Sequence, residues 1–254
     1  MRALRLAALL LVAVALPRPG APALAADEGV RVEWDPALAF PHDRAAYEAR
    51  VQEIARDAER MVAAALGWRL GRRVVVRVET REAFERAFGT EAARVEAAHY
   101  GRDVIHLNGG SRLDDRMAGL VVPELVHAFL DSRGDPGRLP TWLNEGLAER
   151  LAWQRKGVAD LSPTQLAELK QAREAGRLLP LPVDAELSRF GYLQCWAAVL
   201  YLERTAGREK VVALVRRTLD GEPFARALAA EAGLSPEELE RGFATWVERR
   251  QGVW

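Results

Sequence analysis

The chain has 254 residues, 49% of them apolar, which is enough to bury one sizeable core or a core with a helical annex. Its 36 basic residues balance 36 acidic ones, so no electrostatic footprint points to nucleic acid or to an anionic membrane surface, and neither is expected as a partner. The charged fraction of 28% is spread along the chain rather than blocked, which argues against disorder.

The N-terminus reads as a secretory signal over 1–25. Arg2 and Arg5 form a basic start, Leu6 to Leu16 an unbroken apolar run, and Ala23-Leu24-Ala25 a small-x-small cleavage site. The run has eleven residues, against the roughly 20 that a bilayer span requires. A cleaved signal is the expectation, with an uncleaved anchor as the alternative and the only route to a membrane. The mature chain, 26–254, is thus expected to be exported, periplasmic or secreted. Cys195 is the single cysteine and stands far from the signal, so neither an acylation site nor an intramolecular disulfide is expected.

Val30 to Trp34 alternates like a short strand. From Arg44 to Leu66 the residues Tyr47, Val51, Ile54, Ala58, Met61, Val62 and Ala65 recur three or four apart, one apolar stripe of a helix. The β-branched run from Val74 to Val78 suits a half-buried strand. Thr80 then caps a brief helix through Phe84 and Phe88 that Gly89 stops. Asp103 to Leu107 reads as a further strand closed by Asn108-Gly109-Gly110. Beyond Ser111 the pattern is almost wholly helical. Ser162-Pro163-Thr164-Gln165 and Ser235-Pro236-Glu237-Glu238 are two clear helix starts, and further helices are predicted over Leu187–Arg204, Glu209–Leu219 and Pro223–Ala230. Gly134 to Pro140 is a loop within the unit. The fold class expected is α+β, a small mixed sheet packed on one central helix and followed by a mainly helical C-terminal half.

Two segments carry chemistry: Pro123-Glu124-Leu125-Val126-His127 inside an apolar run, and Pro140-Thr141-Trp142-Leu143-Asn144-Glu145-Gly146-Leu147-Ala148-Glu149 one loop later. In an H-E-x-x-H helix two histidines four apart aim at one metal, the glutamate between them faces the bound water, and a third ligand arrives from a later helix. Here Glu124 and His127 hold the second and fifth positions and Pro123 the first. Taken alone, His127 at the end of an apolar run reads as a satisfied core histidine, Glu145 and Glu149 as solvated helix charges, and Tyr192 with Trp196 as aromatics at the core edge.

From Val74 to Arg250 the chain resembles the peptidase MA-like domain family, gluzincin metallopeptidases related to thermolysin. The matching parts are Val121 to Phe129, Pro140 to Glu149, Tyr192-Leu193-Gln194, and Ala232-Gly233-Leu234-Ser235 leading into Leu239 and Trp246. The resemblance implies a thermolysin-like scaffold, a zinc cofactor and a peptide or protein substrate. It also implies Glu124 as general base, His127 and Glu145 as zinc ligands, Glu149 as an orienting group and Tyr192 as a transition-state donor. Pro123 departs from the pattern where the first zinc-binding histidine belongs, which puts the zinc itself in doubt. Lost or strongly reduced hydrolysis is therefore the expectation. The alternatives are an active peptidase in which His99 or His106 replaces the ligand, and a non-catalytic interaction protein of the cell envelope.

Proline within a helix also deletes a backbone hydrogen bond and crowds the carbonyl four residues back, here that of Gly119, at about 3 kcal/mol or more. Two backbone readings follow: a helix that begins at Pro123, or one that runs through it with a kink.

Overall fold

A computed structural model of the chain describes residues 29–38, 44–90, 98–109, 115–181 and 187–250. The signal reading over 1–25, together with His42 and Gly110, lies outside them. Among the described residues no helix is long and apolar enough to cross a membrane.

The first half builds the sheet. Strand β1 (Gly29–Trp34), helix α1 (Arg44–Leu66) and strand β2 (Arg73–Glu79) form a βαβ unit in which Val30 pairs with Val74 and Trp34 with Val78 in parallel register. Helix α2 (Arg81–Phe88) follows. Thr80 caps it as expected, its side chain accepting from the Ala83 amide, and Gly89 ends it. Strands β3 (Ala98–Gly101) and β4 (Val104–Asn108) form an antiparallel hairpin, and β4 also pairs in parallel with β2. The sheet order is therefore β1-β2-β4-β3, with the one antiparallel strand at the edge. Arg102 and Asp103 both take positive φ, 51° and 66°, as a two-residue type I′ turn requires. That turn claims Asp103, so β4 begins one residue later than its sequence suggests. β3 was not anticipated, because a four-residue strand containing a histidine and a glycine carries too little pattern.

Val74, Val76, Val78, Ile105 and Leu107 point to one face of this sheet and are buried there. Each is worth roughly 1.5–3 kcal/mol of transfer free energy on an upper estimate. They share a core with the buried stripe of α1 (Val51, Ala55, Ala58, Val62) and with the apolar residues of helix α3 (Asp115–Arg133). Helix α3 packs on α1 and along β3 and β4. It is continuous through Pro123, so the reading in which the helix starts at that residue is overturned. The apolar residues Leu120, Val121 and Val122 ahead of the proline favour helix, because Val121 and Val122 are fully buried in the common core.

The C-terminal half is helical, as predicted. A single 3₁₀ turn (Pro136–Arg138) lies in the expected loop. Helices α4 (Thr141–Arg155), α5 (Pro163–Glu174), α6 (Arg189–Ala206), α7 (Arg208–Leu219), α8 (Phe224–Ala232) and α9 (Pro236–Arg249) follow. Ser162 and Ser235 form complete capping boxes with Gln165 and Glu238. Among the described elements α4 and α6 make the most extensive packing. Gly146 permits it, since a Cβ there would meet the Cys195 carbonyl oxygen at 2.5 Å. The described part is thus α+β, with a four-stranded mixed sheet and nine α-helices.

One polar cluster fastens the sheet edge to α3. Tyr100 on β3 donates to Asp131 Oδ2 at 2.7 Å, and Arg72 donates to Tyr100 Oη at 3.1 Å. The same guanidinium pairs with Asp131 and, through Nε at 2.6 Å, with Asp103 in the hairpin turn.

Candidate functional site

Helix α3 carries Glu124 and His127 three residues apart, on one side of the helix. Helix α4 carries Asn144, Glu145 and Glu149. The two helices pack through Leu125, Val126, Leu143 and Leu147, all buried in the common core, and this packing brings their polar residues together.

His127 Nδ1 lies 2.9 Å from Asn144 Oδ1. An amide oxygen can only accept, so Nδ1 carries the proton in the neutral ring and Nε2 presents its lone pair. That lone pair faces the Glu145 carboxylate, with Nε2 3.6 Å from Oε2. The distance is too long for a hydrogen bond. With the ring neutral, two acceptors are thus held side by side, each about a fifth exposed, at 20% for His127 and 23% for Glu145. Such a pair is complementary to a cation, and an orienting group on the second ring nitrogen is what a metal-binding imidazole ordinarily has.

Glu149 stands one turn further along α4 and accepts from the Trp153 indole N–H at 3.0 Å. Burial raises its pKa and the charge of Glu145 adds to this, while the Trp153 hydrogen bond and the Lys156 ammonium oppose them. The Lys156 ammonium sits 4.8 Å from the Trp153 ring centre, and its Cε lies beside Gly119, one turn ahead of Pro123. Trp153 in turn stacks on the fully buried Trp196, with centroids 5.0 Å apart and planes 12° from parallel. Glu145 and Glu149 are therefore not free surface charges. Nor is Trp196 a core-edge residue. Tyr192, on the first turn of α6, is 39% exposed and is the one exposed large hydrophobic side chain among the described residues.

His99 and His106 are paired directly across β3 and β4. Both lie on the sheet face opposite the buried Ile105 and Leu107, where their rings flank Phe88 of α2 at 4.7 and 5.0 Å. His106 is engaged by Glu79, Nδ1 to Oε2 at 3.1 Å. The sheet thus stands between these two rings and the α3 face of the core. Among the described residues no group of three or more His, Cys, Asp or Glu side chains is gathered as a metal site. Cys195 is a free, buried thiol behind Gly146. Burial pushes its pKa up to about 12, and the charges of Glu145 and Glu149 push the same way.

Asn144 was missed by sequence reasoning, where it occupied an unassigned place between Leu143 and Glu145. The available signal was its position: an amide among apolar residues, immediately before a candidate ligand on the same helix. Compared with models of known families, with curated proteins and with solved structures, the chain matches none.

Proposed function

We propose that the protein is an exported, zinc-metallopeptidase-like protein on a thermolysin-like scaffold, with peptide hydrolysis lost or strongly reduced, that retains binding of peptides or proteins. The observation that carries this reading is the arrangement of His127, Asn144 and Glu145: imidazole Nε2 and a carboxylate oxygen 3.6 Å apart, with Nδ1 held from behind by Asn144. Support for the scaffold comes from an antiparallel edge strand lying along the helix of Glu124 and His127, and from a later helix that delivers Glu145.

The donor set does not fit a resident zinc held by three protein ligands. His127 and Glu145 supply two donors, and the side chain of Pro123, at the first position of the motif, has none. His99 and His106 are turned to the far face of the sheet and engaged by Phe88 and Glu79. Without a metal to lower the pKa of water from about 15.7 to near 7, Glu124 lacks the acidified water on which the glutamate of a zinc peptidase acts. The chemistry left to these residues is recognition, by acceptors that favour a positively charged or N–H-rich group.

Zinc content after dialysis, together with cleavage of a broad peptide library, tests the reading. Far less than one zinc per chain and no turnover above the blank are expected. One tightly held zinc with cleavage abolished by Glu124→Gln would overturn it.

A further inference from the structure

Away from that site, α6 and α9 border a cavity of about 530 Å³ open to solvent, lined by Tyr201, Gly242, Trp246 and the arginines Arg241, Arg249 and Arg250. Its shape follows from one glycine. A Cβ on Gly242 would collide with the Tyr201 hydroxyl, so the tyrosine reaches the backbone of α9 here, its ring beside that of Trp246 with centroids 5.9 Å and planes 50° apart.

The charge on this wall is unbalanced. The Arg250 side chain is only 7% exposed and its guanidinium lies 4.5 Å from the Trp246 ring centre. Its Nη2 pairs with Asp160 Oδ2, whereas Nη1 is buried with no hydrogen-bond partner. The same Asp160 oxygen also takes Arg204 at 2.5 Å, so one carboxylate serves two guanidiniums. Arg241 has Glu237 nearby. Among the described residues no carboxylate pairs with Arg249. A buried guanidinium with one unsatisfied N–H, a rim arginine, Arg249, that pairs with no carboxylate among the described residues, and two aromatic rings inclined at 50° give a wall richer in cations than in anions with apolar surface beside it.

We propose that this cavity binds a small oxyanion carried on an aromatic body, an aryl phosphate or aryl carboxylate, with the oxyanion on Arg241 and Arg249 and the ring against Tyr201 and Trp246. Guanidinium forks match both oxyanions in plane. The proposal is independent of the reading of the His127 site.

The test is calorimetric titration of the full chain with phenyl phosphate, benzoate, inorganic phosphate and phenol. Saturable binding of both aryl oxyanions at or below about 1 mM is expected, with inorganic phosphate at least about tenfold weaker and phenol not saturating. The Arg241→Gln, Arg249→Gln double variant replaces two exposed side chains, so it should keep its melting temperature and bind both aryl oxyanions at least about tenfold more weakly. Trp246→Leu should weaken phenyl phosphate but not inorganic phosphate. Absence of saturable binding by either aryl oxyanion at about 10 mM, or binding unchanged in a folded double variant, overturns the site. Inorganic phosphate binding as tightly as phenyl phosphate overturns the aromatic part of the assignment.

Discussion

A methyl group on Gly146 would stand 2.5 Å from the backbone carbonyl oxygen of Cys195, and 2.7 Å from Cγ2 of Val199. The first of these atoms belongs to the backbone of α6 and cannot step aside as a side-chain end can. Helix α4 therefore lies as close to α6 as a glycine allows, which fixes where Glu145 and Glu149 stand. Alanine at this place gains about 1 kcal/mol in helix propensity but must force the helices apart. A net loss of about 1–3 kcal/mol is expected for Gly146→Ala in urea denaturation. Unchanged or raised stability would mean that the two helices are not so tightly seated.

Pro123 lies inside α3, so replacing it should act on the backbone as well as on the site. Pro123→His returns an amide donor toward the Gly119 carbonyl and places an imidazole four residues before His127. A metal-free gain of about 1–3 kcal/mol is expected from thermal melting in chelator. Stoichiometric zinc binding and measurable peptide cleavage are expected once the third donor is present. Adding Glu124→Gln should keep the zinc and remove the turnover. Zinc uptake with no cleavage of any peptide would mean that a third donor alone does not make the site hydrolytic.

The contact between His127 and Asn144 sets a tautomer that can be observed directly. In ¹⁵N-resolved NMR at a pH where the ring is neutral, His127 should carry its proton on Nδ1. Asn144→Ala should leave a mixture of tautomers. In the Pro123→His background the same change should lower zinc affinity about 10–100-fold. A pure Nε2–H form in the parent protein would show that the Asn144 amide is turned the other way and that the lone pair facing Glu145 does not exist.

Cys195 should be chemically silent while the protein is folded. Burial pushes its pKa up to about 12, well above the roughly 8.5 of a free thiol. An aromatic disulfide reagent at about pH 8 should label it only in denaturant. The unfolded chain gives up this proton first, so the thiol's contribution to stability is intact below about pH 8.5 and is lost as pH rises toward about 12. Cys195→Ala should flatten the alkaline decline by up to about 1.4 kcal/mol per pH unit in that window. An equal slope in both proteins would place the thiol in water.

Much of this architecture was legible because its signals are local. The α1 stripe, the β-branched run from Val74 to Val78, the Thr80 cap and the two serine capping boxes each depend on neighbours within one or two turns. What was not legible depends on partners distant in sequence. β3 is held by pairing with β4 and by Tyr100 reaching Asp131, and neither leaves a mark on the four residues themselves. Proline at 123 also allowed a helix start, against the helical reading of the apolar run before it, and the helix runs through it with Val121 and Val122 buried. At the candidate site, Glu124 and His127 could be named from motif spacing, and Glu145 and Glu149 from the family resemblance. Asn144, Trp153 and Lys156 could not, because their roles exist only when α3, α4 and α6 are brought together.

The cluster of Arg72, Tyr100 and Asp131 works like the jaws of a calliper. Its dimensions are those of a phenol ring, a guanidinium and a carboxylate, and they hold β3 to the last turns of α3 whatever the core beneath them does. The spacing between strand and helix at this end is therefore bridged by three side chains, with Tyr100 and Arg72 both meeting Asp131.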